Sequence, residues 1–206
     1  MIKGTVGAVL AGGRSRRLGR DKALISSKGT TLVGRAVAVL AALFPRVVLV
    51  APDRPEYEAL GVERIADRWP DAGPLAGIEA ALAAAAGAPV FVLACDLPLV
   101  EVELVKELAT VPPDFGVAGP AARLAAADGV LQPLCGLYGA ACGPVLARSL
   151  ERGTRALHEA LLEVRCERVE VAPDSLLNIN VEDDVTRLRE LEAAPAEMTV
   201  ANGGER

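Results

Sequence analysis

The chain has a single histidine in 206 residues, and its four cysteines (Cys95, Cys135, Cys142 and Cys166) show no CxxC spacing. That leaves no Cys/His zinc set. It favours free or buried thiols in a reducing compartment over a disulfide framework. No apolar run reaches the roughly 20 residues of a membrane span. The longest, residues 32–44 and 75–88, are interrupted by Arg35 and Glu79. A strand-like run begins within a few residues of Met1, leaving no room for a secretory signal. The expectation is a soluble, cytoplasmic protein without membrane partners. Side-chain amides are also scarce: Asn178, Asn180, Asn202 and Gln132 are all the chain contains. Few thermolabile amides fit a heat-adapted source, and an Ala/Arg-rich coding bias would give the same composition. A net charge of −5 argues against a general nucleic-acid binder.

What the chain does have is apolar residues, 51% of the total, enough for a sizeable core. Short β-type runs at residues 6–10, 47–50 and 90–94 lack polar alternation, as expected for strands covered on both faces. Helical spacing lies between them. Leu32, Val33, Ala36, Val37, Leu40 and Leu43 form one apolar face, with Thr30 or Thr31 as N-cap. Leu75, Ile78, Ala81 and Leu82 form another between Gly73-Pro74 and Gly87. Strand–helix–strand repetition predicts an α/β fold with a parallel sheet. Beyond Glu101 the pattern is less regular. Val117 and residues 130–137 read as strands, 142–150 and 154–162 as helices, 168–171 as a strand, and 182–191 as a last helix capped near Asn180. Residues 1–192 form the expected domain, with 193–206 as a loosely held tail. His158 reads as a surface or packing residue, and Trp69 and Tyr138 as core packing.

Against the acidic background one cationic cluster stands out. After the first strand comes Ala11-Gly12-Gly13, then Arg14, Arg16, Arg17 and Arg20, closing on Lys22. No GxxxxGK[ST] or GxGxxG can be drawn through these residues. A solvated turn is the plain reading. Its place after the first strand favours an anion cradle instead, because ligands of open α/β sheets bind outside the carboxyl ends of strands.

The stretch LAGGRSRRLGRDKALI resembles the signature of the molybdenum cofactor guanylyltransferases, within the wider nucleotidyltransferases, with Leu18 where Met is usual. Further segments resemble that family's motifs in order: Asp67 followed by Gly73-Pro74-Leu75-Ala76-Gly77-Ile78, then Cys95-Asp96-Leu97-Pro98, Gln132-Pro133-Leu134, and Asn178-Ile179-Asn180 before Glu182-Asp183. The resemblance covers about residues 5–190. It implies a Rossmann-like three-layer α/β/α fold with a mainly parallel sheet, and transfer of GMP from GTP to molybdopterin with release of pyrophosphate. By the same resemblance Leu10, Ala11, Gly12, Gly13, Lys22 and Asp67 contact the nucleotide, and Asp96 binds both Mg²⁺ and nucleotide. Arg16 and Lys22 hold phosphates, so Arg16, Lys22 and Asp96 form the catalytic set. Asn178 and Asn180 face the pterin substrate. Arg155 is either a further cation for the pterin phosphate or a solvated helix arginine. Transient contact with cofactor-loading proteins and molybdoenzyme apoproteins is implied too. An asparagine that contacts GTP after the second strand in some members has no counterpart; Val50-Ala51-Pro52-Asp53 stands there. Rival readings are a relative that uses CTP or a sugar-phosphate acceptor, and a non-catalytic nucleotide-binding module.

Overall fold

The computed structural model describes residues 1–12, 18–69 and 71–193. Gly13, Arg14, Arg16 and Arg17, and the expected tail beyond Ala193, lie outside the described residues. The chain runs β1 (Val6–Leu10), β2 (Ser26–Ser27), β3 (Thr30–Thr31), α1 (Leu32–Ala41), β4 (Arg46–Val50), β5 (Glu63–Ile65), α2 (Pro74–Ala84) and β6 (Val90–Ala94). It continues through α3 (Val102–Ala109), β7 (Ala122–Ala127), β8 (Val130–Tyr138), α4 (Cys142–Glu151), α5 (Leu157–Leu161), β9 (Cys166–Glu170) and α6 (Glu182–Ala193). Seven strands form one sheet in the order β5-β4-β1-β6-β8-β7-β9. Only β8 pairs antiparallel to its neighbours, with β6 on one side and β7 on the other.

The strands are apolar throughout because both faces are covered. Val6, Ala8, Leu10, Val90 and Val92 point into a core shared with α2, α4 and α5. Val9, Leu49, Phe91 and Leu93 point into the opposite core, beneath α1 and α3. Each fully buried Leu, Val or Phe contributes about 1.5–3 kcal/mol, so the two layers supply the bulk of the fold's stability. Gly7 lets α1 lie close to β1: a Cβ there would stand 3.1 Å from the Phe44 ring and 3.2 Å from Leu40 Cβ. Thr31, one of the two expected caps, accepts from the Gly34 amide at 3.1 Å.

The second half departs from the sequence expectation. Val117 is not in a strand; it lies in an exposed turn before β7. The helix expected over residues 154–162 shortens to α5, because Gly153, at φ 87°, ends α4 and starts an extended link. Strand β7 and helix α3 were not expected. The cap of α6 also differs: Asp184, inside the helix, accepts from the Asn180 and Val181 amides at 2.7 and 2.9 Å. That reciprocal half of a capping box leaves the Asn180 side chain available to the neighbouring site.

Helix α6 docks through a small cluster of Ile179, Val185 and Leu188 against Ile25 and Leu32. Its last turn is tied down by a polar knot. Ser27 Oγ and Arg35 Nη1 both donate to Glu192 Oε1, at 2.6 and 2.5 Å, and the Glu192 side chain is 9% exposed. Removing the carboxylate leaves a partly buried arginine unpaired. We predict that Glu192→Ala costs on the order of 2 kcal/mol. A melting point lowered by about 4–8 °C meets this expectation, and an unchanged one refutes it.

Candidate active site

Strands β5, β4, β1 and β6 are parallel, so their carboxyl ends meet at one side of the sheet. The strand order turns at β1, with β4 to one side and β6 to the other. Such a switch point splays the flanking loops apart and leaves a crevice. A cleft of about 960 Å³ opens there. Its floor is Leu10-Ala11-Gly12 from β1, Val50 to Asp53 from β4, Ala66 and Asp67 after β5, and Ala94-Cys95-Asp96 from β6. Asp21-Lys22-Ala23 and the start of α2 (Gly73, Pro74 and Gly77) complete the wall. Gly73 adopts φ 67° and ψ −154°, a region open essentially to glycine alone. With Pro74 as the first helical residue, it aims the positive end of α2 at the cleft.

The loop after β1 returns to the sheet at Lys22. The Lys22 ammonium contacts Asp96 Oδ2 and donates to Asn180 Oδ1 at 3.3 Å. Three residues far apart in sequence thus converge at the carboxyl end of β6. Their segments are also joined through the backbone, since the Ile179 amide donates to the Asp96 carbonyl at 2.9 Å. Asp96 Oδ1 is buried and without a hydrogen-bond partner among the described residues. On the floor of a cleft, a carboxylate oxygen in that state has the chemistry to take a cation. One carboxylate fits Mg²⁺, which takes one or two protein carboxylates and fills its other positions with phosphate and water. No group of three or more His, Cys, Asp or Glu suited to a metal occurs among the described residues. Cys95, beside Asp96, is buried, and burial and then the Asp96 charge hold its thiol well above the usual range.

The remaining candidates divide. Leu10, Ala11, Gly12 and Asp67 line the cleft. Asp67 Oδ1 accepts from the Trp69 amide at 2.6 Å, so one oxygen is used in a local turn. Asn178 sits next to the Asp96 contact, with its Oδ1 buried and without a hydrogen-bond partner among the described residues. Arg155 is not among the cleft-lining residues; its Nη1 donates to the carbonyls of Leu150 and Thr154, at 3.2 and 3.0 Å, closing the end of α4. Arg20 pairs with Glu182 at the start of α6. Arg16 and Gly13 lie outside the described residues.

Sequence reasoning assigned no role to Asp21. Its Oδ1 accepts from the Ala23 amide at 3.0 Å, and its Oδ2 receives the Tyr57 hydroxyl and an Arg54 nitrogen, each at 3.0 Å. The turn that presents Lys22 is thereby fixed to the segment after β4. Tyr57 stays protonated, its pKa raised by burial and by Asp21. The adjacency of Asp21 to Lys22 was the only available signal, because Tyr57 and Arg54 carry no motif.

A profile of the MobA-like NTP transferase domain matches residues 7–166. The chain belongs to this family. It is 40% identical over 176 residues to a probable molybdenum cofactor guanylyltransferase of Opitutus terrae, covering 82% of this chain and 84% of that one. It is 35% identical over 167 residues to a molybdenum cofactor guanylyltransferase of Pseudomonas putida, covering 80% and 85%. The crystal structure of molybdopterin-guanine dinucleotide biosynthesis protein A from Archaeoglobus fulgidus superposes with a TM-score of 0.75 at 27% identity, covering 90% of this chain and 97% of that one. The chain is a nucleotidyltransferase, and its three-layer α/β/α fold with a mainly parallel sheet is that of the family. Among the described residues no helix is long and apolar enough to cross a membrane.

Gly77 allows fold and site to be tested apart. A Cβ there would lie 3.4 and 3.5 Å from the Leu10 methyls and 3.8 Å from Val50, which is ordinary contact. Packing therefore tolerates the methyl, and glycine inside a helix costs about 1 kcal/mol relative to alanine. We predict that Gly77→Ala raises stability by up to about 1 kcal/mol while weakening nucleotide binding, because the methyl stands on the cleft wall. Calorimetric titration beside thermal melts checks both signs; unchanged affinity would refute the site role.

Proposed function

We propose that the cleft binds GTP with Mg²⁺ and transfers GMP to the terminal phosphate of molybdopterin, forming the guanine dinucleotide form of the cofactor. The observation that carries this reading is the convergence of Lys22, Asp96 and Asn180 at the switch point of the sheet. The curated relatives, named as molybdenum cofactor guanylyltransferases, support the choice of nucleotide and acceptor.

In the reaction, an oxygen of the acceptor's phosphate forms a bond to the α-phosphorus of GTP. The bond from that phosphorus to the β-phosphate oxygen breaks, and pyrophosphate leaves with the electron pair. The attacking group is already anionic, so no strong base is required. Catalysis consists of bringing two anions together and stabilising charge on the leaving group. The described lining is poorly suited to do that alone. It holds five aspartates (Asp21, Asp53, Asp67, Asp71 and Asp96) against two cations, Lys22 and Arg64. Asp53 pairs with Arg64 at 2.9 Å, and Asp21 with Arg54. A triphosphate therefore needs further positive charge. Lys22 and Arg16 bind phosphate oxygens, and Asp96 holds the metal. When bound, Mg²⁺ offsets charge on the phosphates. Amides near Gly12 and the start of α2 orient the nucleotide, while Asp67 accepts from guanine N1–H and its exocyclic amine. Asn178 and Asn180 take the pterin side.

Measuring pyrophosphate release with each of the four nucleoside triphosphates, with and without molybdopterin, tests the reading. Release is expected with GTP only when the acceptor is present; consumption of CTP but not GTP would overturn the choice of base. Asp96→Asn is expected to abolish turnover yet keep measurable GTP binding, and retained turnover would remove the metal role. Lys22→Ala is expected to weaken binding and rate together, so normal kinetics would exclude its phosphate role.

A further inference from the structure

One buried carboxylate takes no part in this chemistry. Glu79 lies in α2, whose other buried positions are Leu, Ala, Gly and Ile. Its side chain is only 4% exposed. A charge in such surroundings is strongly unfavourable unless paired, and packing alone would be served as well by leucine or methionine. Arg68 Nη2 donates to Glu79 Oε1, while Arg68 itself stays largely in solvent. Glu79 Oε2 is buried with no partner among the described residues. The contact joins the middle of α2 to the segment that follows β5.

Within that segment, Ala66 to Trp69, the Trp69 carbonyl accepts from the Ala72 amide at 3.2 Å. The Trp69 ring is partly buried against the core cluster, and Ala66 and Asp67 face the cleft. Asp67 accepts from the Trp69 amide, so its carboxylate is aimed by the backbone of the two residues that follow it. An aromatic ring seated on an apolar surface fixes position but not direction. The guanidinium–carboxylate contact, from Arg68 Nη2 to one Glu79 oxygen, adds a second, charge-assisted anchor on the other side of the segment.

Building on the assignment of the cleft to GTP, we propose that Glu79 is a positioning residue for nucleotide recognition. By holding Arg68 from below, it sets the orientation of residues 66–69 and with it the aim of the Asp67 carboxylate. The helix carrying Gly73 and Gly77 and the strand end carrying Asp67 then present their groups to the same ligand in a fixed relation.

Trp69 is the only tryptophan in the chain, so its fluorescence reports this segment directly. The experiment compares full-length wild type with Glu79→Gln, Arg68→Met and Asp67→Asn, following tryptophan emission, GTP titration in the presence of Mg²⁺, and steady-state kinetics. Arg68→Met breaks the contact from the exposed side and serves if Glu79→Gln does not fold. Both are expected to shift the emission of the nucleotide-free protein. Both should raise Kd and KM for GTP by about 3- to 30-fold, with kcat at saturating GTP held within about twofold. Added to Asp67→Asn, either change is expected to weaken binding no further, since it acts through that carboxylate. Unchanged KM in both variants, or losses that add to that of Asp67→Asn, would overturn the positioning role. If wild type binds no GTP, the assignment of the cleft fails. The emission of nucleotide-free Glu79→Gln and Arg68→Met still decides whether the pair holds the segment, and an unchanged spectrum rejects it.

Discussion

The contact between Lys22 and Asp96 is the point on which the cleft is organised. One partner closes the loop that leaves β1, the other ends β6, and Asn180 brings in the approach to α6. The two side chains are only 16% and 10% exposed, so separating them would leave two partly buried charges without this contact. The pairing therefore determines where the loop after β1 must return. The hydrogen bond from Ile179 to the Asp96 carbonyl then brings the segment that carries Asn178 and Asn180 beside Asp96. The apolar cluster of Ile25, Leu32, Ile179 and Leu188 joins the segments that follow Lys22 and flank Asn180.

The surrounding supports work by the same logic. Asp21 fixes the turn before Lys22 to Tyr57 and Arg54. Glu79 fixes the segment before Trp69 to α2. The Ser27–Arg35–Glu192 knot fixes the far end of α6 to the first small hairpin. In each case a carboxylate ties one segment to another whose own position comes from apolar packing. The sheet supplies rigidity, and the ionic ties supply direction.

Much of this could be read from the chain, though unevenly. β1 and β6 were legible because strands covered on both faces carry unbroken apolar runs, and α1 and α2 because their apolar positions recur at helical spacing. β7 was missed because its sequence, ARLAAA, is alanine-rich and favours a helix locally. Its strand state comes from pairing with β8 through the turn at Asp128-Gly129, both at positive φ, a hairpin signal outweighed by composition. Val117 failed as a strand because an isolated β-branched residue has no partner strand to reward it. At the site, Asp53 and Arg64 line the cleft without belonging to an ordered motif, whereas Leu10, Ala11, Gly12, Lys22, Asp67 and Asp96 belonged to such motifs. The residues that hold them, Tyr57, Arg54 and Glu79, belong to none. Tertiary pairing gives no local signal, since each partner alone reads as an ordinary charged or aromatic residue.

The acidic lining bears on how the site can be filled. Among the described residues the aspartates of the cleft outnumber its cations, and Lys22, the one lysine of that lining, is in contact with Asp96. On the proposed reading, a triphosphate that drew Lys22 onto its oxygens would leave the Asp96 charge to be compensated by another cation, and a metal held by Asp96 would release Lys22 for the triphosphate. Each event would lower the cost of the other, and by linkage the coupling would be equal in both directions. The proposed function thus carries with it an expected cooperativity of nucleotide and metal, exerted through a lysine shared between a carboxylate and a phosphate.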